Sequence, residues 1–115
     1  MLIIIALFGL AILAGLSLVF MGVRYHRSSL ALGLGHAGIA LTALILLIVH
    51  IVREAISHML YNDAAFLFLL TLVGGIVLLM THNNKKSAPL PVVIIHAFLA
   101  LFALAVLIMG YIQGQ

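Results

Sequence analysis

The sequence has no cysteine, only two prolines, and charge on just 6% of its 115 residues. Without cysteine there can be no disulfide, iron–sulfur cluster, thiolate metal site or covalently attached c-type haem, which needs a Cys-x-x-Cys-His run. A soluble domain carries about 25% charged residues, so the deficit excludes an ordinary soluble fold. A glycine-rich phosphate loop, a His-Glu-x-x-His zinc motif and a serine nucleophile constellation are also missing. The isolated hydroxyls Ser17 and Thr42 are predicted to bond back to their own helices rather than to catalyse.

What is present is apolar: 67% hydrophobic residues and a mean hydropathy of +1.45. That composition is one of an integral membrane protein. Four apolar runs, about 2–23, 30–52, 64–82 and 90–112, are each long enough to cross ~30 Å of hydrocarbon at about 1.5 Å per residue. Lipid offers the backbone no hydrogen bonds, so each run must be helical. The first run begins directly after Met1 without a basic flank, and it reads as a transmembrane helix rather than a cleaved signal. The short connections at 24–29 and 83–89 make consecutive helices antiparallel neighbours. Pro89 and Pro91 fall in the first turn of the fourth helix, where a missing N–H costs nothing.

The net charge of +3 is a topology signal, not a nucleic-acid footprint. Arg24 and Arg27 lie in the first loop, and Lys85 and Lys86 in the third. The second carries Arg53, Glu54 and Asp63. The positive-inside rule then puts loops one and three in the cytoplasm and both termini outside, most simply in a bacterial inner membrane.

The chain also repeats itself. His36-Ala37-x-x-Ala40-Leu41-x-Ala43-Leu44-x-x-Leu47 returns sixty residues later as His96-Ala97-x-x-Ala100-Leu101-x-Ala103-Leu104-x-x-Leu107. The same ungapped offset matches Phe8 with Phe68 and Gly15 with Gly75. The expected fold is all-α: one transmembrane domain over 1–115, a four-helix up-and-down bundle of two tandem hairpins, about 1–55 and about 61–115. Successive hairpins share one orientation, so their symmetry axis lies along the membrane normal.

Of six histidines, only His36 and His96 form a repeat-related pair. Each lies about seven residues into its helix, roughly 10 Å below the cytoplasmic surface. Ionisable residues at that depth are costly and by default mark function. Neutral imidazole is a good ligand to haem iron, and the pair is predicted to hold a haem between helices two and four. Each ring should donate its other N–H to a carbonyl one turn back, at Leu32 and Val92. Gly15 and Gly75, with Ala14 and Gly74 beside them, would leave a flat slot at the same level. Close helix packing accounts for these small residues equally well. Arg24, Arg27, Lys85 and Lys86 are candidates to pair with propionates, or serve topology alone.

His36 and His50 are separated by thirteen residues. On a helix that is ~21 Å of rise with about 40° of rotation, so both share a face. Here the sequence resembles the transmembrane b-type cytochromes, notably the cytochrome b subunit of respiratory quinol-oxidising complexes. Those proteins carry His-x13-His on two helices of a four-helix bundle and hold two b haems. The resemblance covers helix two fully and helix four only through His96, because His50 is matched by Gly110. It implies one haem b, with a second dependent on Met109, His58 or a neighbouring protomer. An alternative use of the outer residues is a metal or proton site at His50, Glu54 and His58, spaced i, i+4 and i+8. His26 and His82 read as surface histidines.

The expected function is electron transfer in the membrane, exchanging with the quinone pool or a partner redox subunit. With so little mass outside lipid, the chain reads as a subunit, oligomer or shuttle rather than a complete enzyme. Two other readings stay open: a non-haem membrane protein handling metal ions or protons, and a cofactor-free accessory subunit of a membrane complex.

Overall fold

The computed structural model describes residues 1–25, 29–54, 59–83 and 89–113. Nearly all of those residues lie in four helices: α1 (Leu2–Tyr25), α2 (Leu30–Glu54), α3 (Met59–Asn83) and α4 (Leu90–Ile112). All four are long and apolar enough to cross a membrane. The bundle is elongated, 45 × 22 × 20 Å, its long axis close to the rise of a spanning helix.

Local chemistry sets the helix ends. The Ser29 hydroxyl accepts the Leu32 N–H at 3.1 Å, an N-cap for α2. Pro89 precedes α4 with φ −65°, and Pro91 occupies the first turn, where its missing N–H leaves nothing unsatisfied. Inside the helices, Ser17 bonds to the Leu13 carbonyl, Thr42 to Gly38, Thr71 to Leu67 and Thr81 to Leu78. The back-bonding expected of Ser17 and Thr42 is therefore present, and it satisfies hydroxyls that lipid cannot.

One boundary differs from the sequence expectation. Helix α3 starts at Met59 rather than near residue 64, taking in Tyr61, Asn62 and Asp63. These polar residues look like connector in a hydropathy scan. Tyr61 is fully buried, however, and its ring lies against Gly110 of α4, so packing extends the helix through them. Arg53 and Glu54 likewise end α2 instead of lying in a loop.

Helices α1 and α2 pack intimately, as do α3 and α4, with lighter contacts α2–α3 and α1–α4. The two diagonals are bridged by side chains sixty residues apart. Phe8 of α1 and Phe68 of α3 stack with ring centroids 3.7 Å apart and planes 3° from parallel. Around them a cluster of Ile4, Ala43, Leu44, Leu47, Tyr61, Ala64, Ala103 and Leu107 closes the core. Helices in lipid gain little from hiding apolar surface, so close van der Waals packing of this kind must hold them together.

That core is confined to one half of the molecule. Every buried residue belongs to the first half of α1 or α3 or the second half of α2 or α4. Across 12–25, 29–42, 72–81 and 89–102, no described residue is buried. The second half is where the repeated histidines sit.

Candidate functional site

His36 and His96 occupy the other diagonal, α2 to α4, in the half where no described residue is buried. Their ring centroids are 6.1 Å apart and their planes 79° from parallel. Each ring is anchored to the helix that precedes its own. The Nδ1–H of His36 donates to the Ala11 carbonyl of α1 at 2.7 Å, and that of His96 to the Thr71 carbonyl of α3 at 2.9 Å. A carbonyl has no proton to give, so Nδ1 must be the donor in each neutral ring, and the Nε2 lone pair is left open.

These partners correct the sequence expectation of Leu32 and Val92. The rings do not turn back along their own helices; they cross to the neighbouring one. Glycine is what permits it. A Cβ on Gly15 would lie 3.0 Å from His36 Cε1, and a Cβ on Gly75 would lie 3.2 Å from His96 Cε1. Gly74 joins them, its would-be Cβ 3.4 Å from His96 Nδ1. Gly15 and Gly75 are thus at the histidine level, where sequence put them, and they seat the rings directly. Sequence reasoning missed Ala11 and Thr71 as hydrogen-bond acceptors. The usable signal was the level of the glycines, which places the carbonyl one turn earlier beside each ring.

The remaining candidates disperse. Arg24 is exposed, and its guanidinium lies 5.9 Å over the ring of Tyr25. Arg27, Lys85, Lys86, His26 and His58 lie outside the described residues, as does the side chain of His82. The proposed His50–Glu54–His58 set therefore falls partly outside them. Among the described residues no group of three or more His, Asp or Glu side chains is arranged to hold a metal ion.

At the packed end, His50 is half-buried and meets the Tyr61 ring edge-on at 6.0 Å. Gly110 stands where the repeat would place a partner for His50. A Cβ there would lie 2.9 Å from Tyr61 Cε1, so the tyrosine ring fills that space. Met109, the other candidate ligand for His50, is half exposed on α4. A separate hollow of about 260 Å³ between α2 and α3 is lined by Ile48, Ile51, Phe66 and Leu69, with Asn62 its polar member.

Chemically, the site offers two imidazoles held through Nδ1 by backbone carbonyls, each with an Nε2 lone pair available when the ring is neutral. Two metal–imidazole bonds of about 2 Å, plus about 1 Å from each nitrogen to its ring centre, would separate the centroids by about 6 Å. The observed centroid separation, 6.1 Å, is of that size. The chain matches no protein-family model, and no curated protein or solved structure gives a significant match.

Proposed function

We propose that this chain is a membrane b-type cytochrome, carrying electrons through one haem held between His36 and His96. The observation that carries the reading is the pair of imidazoles at 6.1 Å, each with Nδ1 already committed to a carbonyl. A metal-ligating histidine needs that second hydrogen bond to fix its tautomer and aim its free nitrogen.

Two donors also discriminate between metals. Structural zinc takes four protein ligands and catalytic zinc three, whereas haem iron brings four equatorial nitrogens and asks the protein for two axial ones. Only two histidines meet here, and no third ligand joins them among the described residues. The space over Gly15, Gly74 and Gly75 is taken by the two rings, so the glycines serve to seat the ligands and do not themselves form the flat slot expected from the sequence.

The architecture that goes with this reading is an up-and-down bundle of two tandem hairpins spanning a bacterial inner membrane, with loops one and three cytoplasmic. The hydrogen bonds His36–Ala11 and His96–Thr71 support the duplication, since both pairs are twenty-five residues apart and related by the sixty-residue offset. Haem so ligated supplies one-electron transfer between the ferric and ferrous states. The residues do the rest. Ala11 and Thr71 orient the rings and the glycines admit them; Arg24, Arg27, Lys85 and Lys86 are, from the sequence, the cations that would pair with propionates. With His36 and His96 both holding the group, the site would suit passing electrons to the quinone pool or a partner redox subunit better than activating oxygen.

Haem and metal analysis of the purified protein tests this. One protohaem per chain is expected. Stoichiometric zinc or copper without haem would instead select a metal-handling protein, and neither would select an accessory subunit.

A further inference from the structure

The two histidines are tied to their own hairpins and not to each other. His36 is bonded to α1 and seated on Gly15; His96 is bonded to α3 and seated on Gly74 and Gly75. Each hairpin therefore carries a complete half-site, built without help from the other. The packing that joins the hairpins lies elsewhere. The Phe8–Phe68 stack and the fully buried Tyr61, Leu47 and Leu107 all belong to the opposite half. Beyond Ala11 and Thr71, which are themselves buried, no described residue towards the histidine end is buried. In lipid, where apolar side chains gain little by leaving the solvent, a half whose close contacts lie within each helix pair and which buries no residue between the pairs has little to keep it shut.

We infer that the chain is a clamp: the hairpins are joined at the phenylalanine core, and the histidine ends close on a shared iron. Coordination then does at one end what side-chain packing does at the other. The inference rests on the haem reading and adds to it a mechanical role for the ligand and a route of entry between the hairpins. Binding free energy that draws the ends together is also stabilisation of the closed form, since only that form presents both nitrogens at once.

The absence of cysteine makes the test direct, because any introduced pair is the only one to label. Phe20→Cys with Met80→Cys places spin labels at exposed positions of α1 and α3 at the histidine end. Ile3→Cys with Asp63→Cys does the same at the packed end, where both positions are also exposed. Full-length protein in lipid nanodiscs is titrated with haemin, and binding is followed by the absorption spectrum. On binding, the Phe20/Met80 distance distribution should lose its longer components and narrow onto the closed form, whose ring spacing of 6.1 Å is the one the structure shows. The Ile3/Asp63 distribution should not move.

A bis-histidine spectrum with an unchanged Phe20/Met80 distribution would overturn the clamp and leave the cytochrome standing. So would a distribution that is already narrow before haemin is added. Failure of haemin to bind at all would overturn both.

Discussion

Replacing Gly15 with alanine would put a methyl carbon 3.0 Å from His36 Cε1 and 3.4 Å from its Nδ1. Neither neighbour yields freely, because Nδ1 is held to the Ala11 carbonyl at 2.7 Å. Overpacking of this kind costs about 1–3 kcal/mol, and giving up the hydrogen bond instead costs about 1 kcal/mol. Alanine in place of glycine favours a helix by about 1 kcal/mol, so overall stability should change little. That gain applies to every state of the helix. The clash applies only with the imidazole in its ligating position, so it should appear in haem affinity. At about 1.4 kcal/mol per tenfold, Gly15→Ala should weaken haem binding on the order of tenfold. Haemin titration of the detergent-purified variant gives the affinity, and thermal unfolding gives the stability. Gly38→Ala is the control, since nothing lies within 4 Å of its would-be Cβ. Wild-type affinity in Gly15→Ala, or an equal loss in Gly38→Ala, would refute the reasoning.

Gly75→Ala, with its nearest approach to His96 relaxed to 3.2 Å, should weaken haem binding less than Gly15→Ala in the same titration. Gly110→Ala drives a methyl to 2.9 Å from the buried Tyr61 ring and should cost about 1–3 kcal/mol in unfolding, with haem affinity unchanged. Phe8→Ala removes half of the core stack; a cavity on the order of 100 Å³ at ~24 cal/mol per Å³ costs about 2 kcal/mol in the same unfolding assay. Phe20→Ala, exposed on α1, should be near neutral by comparison. His50→Ala should leave the haem content and visible spectrum at wild-type values, because its ring neighbour is Tyr61.

Much of this architecture is legible in hydropathy alone. The expected ends of the first, second and fourth spans fall within two residues of α1, α2 and α4, because lipid admits few alternatives to helix. The start of α3 was hidden because Tyr61, Asn62 and Asp63 are polar types, and their place in a helix depends on Gly110, which lies forty-nine residues from Tyr61. The level of His36 and His96 could be read from the repeat and a 1.5 Å rise. Their hydrogen bonds could not, since the acceptors are main-chain carbonyls whose side chains, alanine and threonine, give no hint of the role. Gly74 was placed beside the site but not against the ring, and the glycine positions gave depth without rotation. The Phe8–Phe68 match was legible as part of the repeat, but not that the two rings stack across the bundle, since the offset gives depth without rotation.

The visible spectrum of the dithionite-reduced protein, beside the variants His36→Ala and His96→Ala, most directly tests whether one iron joins α2 to α4. The account expects a b-type α-band in the wild type and its loss in each variant separately, since removing either imidazole breaks six-coordination. A colourless wild type, or a band that survives unchanged in either variant, would contradict it.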